Sequence, residues 1–242
     1  MFKYATDLTE YNIDATDGEM GKINDLYFDD DKWVIRYAVV DTRKWLPSKR
    51  VLLSPAGFER LNLDKKRVEV KYDKDKVRHS PEVPEDTSIT PETEISLAGY
   101  YGWNRYWMGN MMWGVQDRPI TDYHQISADE EKLRDEFNMQ ENKTKYNLRS
   151  VEEALDYRVH GNDGKLGRVV DLVISDDHWK ISYIVIHLDG KPIGEHLYTI
   201  DPERIQNVDW FEGDVYVDYK VDEFKEHKSY RTKEDVLAAV VG

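Results

Sequence analysis

Two short acidic runs, Asp29-Asp30-Asp31 and Asp176-Asp177-His178, carry the oxygen and imidazole donors that a divalent cation would take. Neither run has the glycine at position six or the glutamate at position twelve of a calcium-binding loop, and three consecutive hairpin residues cannot all point at one ion. Both read as solvated turns, where Asp is a favoured residue, so no metal site is expected. Gly18-Glu19-Met20-Gly21 and Gly164-Lys165-Leu166-Gly167 have the GxxG spacing of a nucleic-acid backbone clamp. That clamp lies between helices on a basic surface, whereas these glycines sit in hairpins beside acids, so turns and bulges are their expected role. The histidines (His79, His124, His160, His178, His187, His196 and His227) show no paired helical spacing. There is no Gly-rich phosphate loop, HExxH, GxSxG or cysteine, so no catalytic residue and no cofactor is expected, and the chain reads as not an enzyme.

The remaining candidates are apolar. Between Tyr100 and Gly114 the chain gathers Tyr100, Tyr101, Trp103, Tyr106, Trp107, Met108, Met111, Met112 and Trp113, with Gly102, Gly109 and Gly114 among them. Large adaptable side chains of this kind form a recognition or self-association surface when exposed. The competing reading is that the segment folds back to cover an open barrel face. Trp45, in Lys44-Trp45-Leu46-Pro47-Ser48-Lys49-Arg50, is an aromatic flanked by cations. It either anchors an acidic partner or caps its own hydrophobic core.

These candidates are carried by a repeated scaffold. Gly18 to Val40 (GEMGKINDLYFDDDKWVIRYAVV) returns at Gly164 to Ile186 as GKLGRVVDLVISDDHWKISYIVI, about 146 residues later. Gly18, Gly21, Trp33 and Tyr37 meet Gly164, Gly167, Trp179 and Tyr183 without a gap. Both copies read as β. Asp17-Gly18 and Asp163-Gly164 are hairpin turns, and alternation through Trp33, Ile35, Tyr37 and Val39 marks one buried face of a strand. Further strands are expected at Arg50 to Leu53 and Val68 to Tyr72, with partners at His196 to Ile200 and Val215 to Tyr219. Many short turn-bounded strands in so short a span predict a small closed or nearly closed barrel. The expected organisation is barrel 1 over 1–80, a linker over 81–147, and barrel 2 over 148–242 with a C-terminal helix beginning after Thr232. Within the linker lie the aromatic segment 100–114 and a helix over about 128–140 opened by the capping box Ser127-Ala128-Asp129-Glu130. The two copies are expected to superimpose, with both tryptophans and both tyrosines inside their barrels.

Charge separates the copies. Residues 1–80 carry 16 basic and 15 acidic side chains, residues 81–147 carry 6 and 13, and residues 148–242 carry 12 and 20. A net charge of -14 disfavours nonspecific nucleic-acid binding. No stretch approaches the roughly 20 apolar residues of a membrane span, and Met1 to Asp7 leads into polar sequence, so a cytoplasmic location is expected.

Asp17 to Pro55, DGEMGKINDLYFDDDKWVIRYAVVDTRKWLPSKRVLLSP, resembles the PRC-barrel family. This is the small β-barrel of the photosynthetic reaction-centre H subunit's cytoplasmic domain and of the RimM-type ribosome-maturation factor. The layout is similar to bacterial tandem PRC-barrel proteins. The second copy departs from the first after the repeat, with His187-Leu188-Asp189-Gly190-Lys191-Pro192-Ile193 in place of Asp41-Thr42-Arg43-Lys44-Trp45-Leu46-Pro47. The resemblance implies a mainly β fold of two PRC-type barrels, used as an assembly surface. The expected function is a scaffold or adaptor that binds protein partners or self-associates, with a homo-oligomer possible and no nucleic acid. Two alternatives stand beside it: a peripheral accessory protein of a membrane or photosynthetic electron-transfer complex, and an enzyme with a site at the barrel-barrel junction.

Overall fold

The structure is a computed structural model that describes residues 1–46, 49–83, 89–114, 116–119, 147–190 and 196–241. The helix expected over about 128–140 lies outside the described residues. The chain opens with strand β1 (Phe2–Tyr4) and a single helical turn, α1 (Ala5–Leu8). The strands β2 (Asn12–Ala15), β3 (Gly18–Asp29), β4 (Val34–Asp41), β5 (Val51–Leu53), β6 (Phe58–Asn62) and β7 (Arg67–Val70) follow, then helices α2 (Lys74–Arg78) and α3 (Pro91–Tyr101). The second half repeats the plan: β8 (Leu148–Ser150), α4 (Val151–Ala154), β9 (Arg158–Gly161), β10 (Gly164–Ser175), β11 (Lys180–Leu188), β12 (Leu197–Ile200), β13 (Ile205–Asp209) and β14 (Asp214–Val217). It ends in α5 (Val221–Lys225) and α6 (Lys233–Val241), the latter at the expected C-terminal helix.

Compact packing divides the chain into one unit of residues 9–148 and another of residues 1–8 with 149–242. This division differs from the expected one at both ends of the first copy. The described part of the region read as a linker packs with the first copy, and the first eight residues pack with the second.

In the unit of residues 9–148 the strands run β5-β4-β3-β2-β7-β6, antiparallel except for the parallel pair β2 and β7. In the other unit the order is β12-β11-β10-β9-β14-β13, again with one parallel pair, β9 and β14. No pairing among the described residues joins β5 to β6 or β12 to β13, so neither sheet closes into the barrel expected from the sequence. A 3-10 turn at Pro55–Gly57, and its counterpart at Pro202–Arg204, carries the chain between those edge strands.

Long β3 and β10 bend through bulges that both copies share. At the first, Met20 and Leu166 are the extra residues, and both side chains are buried. Gly21 and Gly167 follow, and here the reason for glycine is close approach. A Cβ at either position would lie 1.9 Å from a carbonyl oxygen, that of Asp41 or of His187. A later bulge in the pairing of β3 with β4 falls at Arg36, and the same irregularity falls at Ser182 in β11. A bulge re-aims side chains. As a result β4 is buried on both faces, with Val34, Arg36 and Ala38 as deeply covered as Ile35 and Tyr37. The expectation that one face of β4 is buried is corrected by this interruption of the two-residue period.

The tryptophans open their strands from a left-handed turn, with φ of 56° at Trp33 and 57° at Trp179. Tyr37 and Trp179 are buried, while Trp33 and Tyr183 are half-buried, so only one of each pair is enclosed as expected.

The first eight residues are fastened to the second copy. β1 pairs antiparallel with β10, Phe2 opposite Ser175 and Tyr4 opposite Val173. Tyr4 joins Val173, Val185, Leu197 and Val236 of α6 in one apolar cluster. The fully buried Asp171, which follows a bulge at Val170, gathers the ends of the chain. Its carboxylate accepts from the Thr6 amide at 3.2 Å, from the Thr6 hydroxyl, and from Lys233 Nζ at 2.5 Å. The equivalent residue Asp25 is also buried and accepts from the Leu26 amide at 2.8 Å, as Asp171 accepts from Leu172.

Candidate functional site

Thr90 caps α3, its hydroxyl accepting from the Thr93 amide, and Pro91 occupies the first turn where its missing N–H costs nothing. Gly102, in the left-handed conformation with φ 74°, ends the helix and turns the aromatic segment back onto the sheet. Trp103 follows it, stacked on Tyr101 with ring centroids 4.3 Å apart and donating from Nε1 to the Tyr72 hydroxyl at 2.6 Å. Tyr101, Trp103, Tyr106, Met108 and Trp113 are buried, Trp113 to 1% exposure. Tyr100, Trp107 and Met112 are half-buried, and Met111 is exposed. Tyr100 and Lys76 hold the helix to α2, the Tyr100 hydroxyl donating to the Lys76 carbonyl at 2.7 Å.

Under this cover lies a cluster of polar groups. Glu94, one turn into α3, accepts through Oε1 from the hydroxyls of Tyr37 (3.0 Å) and Tyr106 (2.7 Å). Arg36 Nε donates to Asp29 Oδ2 at 2.5 Å, and its guanidinium lies 3.8 Å from the ring centre of Tyr106 and 4.8 Å from that of Trp113. Its two terminal nitrogens have no hydrogen-bond partner among the described residues, and the aromatic faces lie against the charge. Lys32 closes the edge, its Nζ donating to the carbonyls of Met111 (2.6 Å) and Gly109 (3.3 Å). Burial, then Arg36, pulls the Lys32 ammonium below its usual range. Burial first, then Glu94, pushes the hydroxyls of Tyr37 and Tyr106 well above theirs.

Sequence reasoning did not find Glu94 or Arg36, and it read Asp29 as a solvated turn acid, whereas Asp29 is 1% exposed and paired with Arg36. The available signal lay in the repeat. Where the first copy has Asp29 and Arg36, the second has Ser175 and Ser182, a charged pair exchanged for a neutral one.

Trp45 stands apart from this cluster. It is half-buried, donates from Nε1 to the Met20 carbonyl at 2.5 Å, and lies about 6 Å from the cations of Lys74 and Arg78. Lys49 of the same loop caps α2, its Nζ donating to the carbonyls of Arg78 (2.8 Å) and Ser80 (2.5 Å). In the acidic turn, Asp29 points inward and Asp31 outward, and no three His, Asp or Glu side chains converge as metal ligands among the described residues.

The second copy presents a different surface. The hairpin between β13 and β14 puts Phe211 at its tip, 94% exposed. Trp210 beside it contacts Tyr157, with ring centres 5.9 Å apart, and the Arg149 guanidinium lies 4.6 Å from its ring centre. An open cleft of about 370 Å³ runs alongside, lined by Leu155, Tyr157, Arg158, Arg168, Phe211 and Glu212 among others. Both arginines are already engaged, Arg158 with Asp214 (2.7 Å) and Arg168 with Asp156 (3.1 Å). His160 Nε2 is hydrogen-bonded to that same Asp214, 2.7 Å away.

From β1 to α2, the repeated frame and its glycine-dependent bulge fall within one stretch of chain. Residues 2–77 match the PRC-barrel domain family. No curated protein matches the chain. The PRC-barrel match begins at β1, so its first residues belong by packing to the unit that contains the second copy. No helix of the described residues is long and apolar enough to cross a membrane.

Proposed function

We propose that the chain is a non-enzymatic scaffold or adaptor made of two PRC-type barrels in tandem, binding protein partners or a second copy of itself. The second copy repeats the element order, the parallel strand pair and the bulges of the first. The observation that carries the reading is a contrast between equivalent hairpin tips. Leu63-Asp64-Lys65-Lys66 in the first copy corresponds to Trp210-Phe211-Glu212-Gly213 in the second, with Lys66 and Gly213 both left-handed at φ 49° and 70°. The backbone is kept and the surface is changed, which is what a duplicated frame needs in order to hold two different neighbours. The polar groups that resemble chemistry are engaged with one another, and an exposed phenylalanine is the kind of side chain that anchors an interface. A cytoplasmic location belongs to the same proposal.

Light scattering on the full chain, joined to affinity purification with quantitative mass spectrometry, tests this against Phe211→Ser. The expected result is self-association or a stoichiometric protein partner, weakened at least tenfold in the variant. A monomer that retains no partner in either form overturns it. Phe211→Ser is the informative variant because the buried Trp103 and Trp113 make replacement of the 100–114 segment a test of stability.

A further inference from the structure

The contact between α3 and β4 is made by a carboxyl group. Glu94 is 7% exposed and holds one hydroxyl from the sheet, Tyr37, and one from the aromatic segment, Tyr106, on the same oxygen. It thereby joins three parts of the fold through one oxygen: the helix, the strand beneath it and the segment that returns over both.

The charge balance around that oxygen is unequal. Facing Glu94 are Arg36 and Tyr37 from β4, Asp29 from the end of β3, and Tyr106 from the returning segment, with Lys32 further out on the Gly109 and Met111 carbonyls. Arg36 is already bonded to Asp29 at 2.5 Å. An ionised Glu94 would be a second carboxylate for one guanidinium, in a site walled by Tyr106 and Trp113 and closed to water.

We infer that Glu94 is a proton-operated latch: neutral, it seats α3 and the Trp103 to Trp113 segment on β4, and losing its proton loosens that seat and uncovers the aromatic surface. Burial, the largest effect, raises the carboxyl from 4.5 to about 7, against the pull of Tyr106, Tyr37 and Arg36. The docked form therefore holds a proton that the undocked form gives up. Linkage then fixes the direction. Docking is tightest below the ordinary glutamate range, weakens as pH rises toward 7, and levels off above it.

Hydrogen exchange by mass spectrometry on the full chain between pH 5 and 8, corrected for intrinsic rates, reads the latch directly. Protection of the peptides covering residues 94–113 is expected to fall about tenfold per pH unit up to about pH 7 and then flatten. Glu94→Gln, which keeps the shape and cannot ionise, is expected to abolish the slope. Tyr106→Phe, which removes one of the donors that favour the anion, is expected to move the flattening to higher pH. Circular dichroism establishes that each variant folds. Protection that does not change with pH in the native chain, or an unaltered slope in Glu94→Gln, overturns the proposal.

Discussion

The amide of Asp176 donates to the carbonyl of Met1 at 3.0 Å, joining the turn after β10 to the opposite end of the chain. The equivalent turn in the first copy makes the equivalent bond, Asp30 to Asn147, at 2.8 Å. In each unit, therefore, the segment leading into one copy lies beside the long strand of the other.

Removing residues 1–8 is accordingly expected to destabilise the second copy. Tyr4 and Leu8 are each buried to 2% exposure or less, a loss of roughly 1.5–3 kcal/mol apiece, and Asp171 would lose both its Thr6 bonds. Hydrogen exchange should show β10 and α6 deprotected, with β3 and β4 much less affected.

Arg36→Ser should cost about 3–5 kcal/mol in urea unfolding, because it leaves Asp29 buried without its guanidinium. Asp29→Ser with Arg36→Ser reproduces the pair that the second copy carries at Ser175 and Ser182, and should recover part of that loss. A double variant no better than the single one would show that the ring contacts of Arg36 outweigh the ion pair.

At Gly21 and Gly167 alanine is expected to destabilise by at least about 1–3 kcal/mol, since its Cβ would need the space of a carbonyl oxygen 1.9 Å away. Gly99 is the contrast. It lies within α3 with open space among the described residues where a Cβ would stand, so Gly99→Ala should stabilise by about 0.5–1 kcal/mol. Thermal or urea unfolding of the three variants checks the sign at each position.

Lys66 occupies the left-handed region that Gly213 occupies in the second copy. Lys66→Gly relieves a backbone cost of about 1–2 kcal/mol at the price of chain entropy, for an expected net gain of up to about 1 kcal/mol. Its exposed ion pair with Glu10, at 3.3 Å, adds little to be lost.

Much of the frame was legible in the sequence because hydrophobic alternation and Asp-Gly turns report local structure, and a repeat reports it twice. Strands β5, β7, β12 and β14 lie where the pattern places them. Arg36 was not legible as a buried residue, because a bulge is defined by its partner strand and one strand's alternation cannot reveal it. Glu94 was hidden by its neighbours: the Pro, Ser, Thr and Glu of residues 81–99 have linker composition, and only tertiary packing turns one of those acids inward. Nothing local to Phe2-Lys3-Tyr4 indicates that it forms a strand or that its partner lies at residues 173–175.

The pairing of Met1 to Leu8 with the second copy has a topological consequence. The polypeptide passes from one unit to the other twice, after Leu8 and again after Leu148. A single cut between Leu148 and Arg149 would give two polypeptides, the N-terminal one still spanning both units through the crossing after Leu8 and the C-terminal one held to it by packing on residues 1–8.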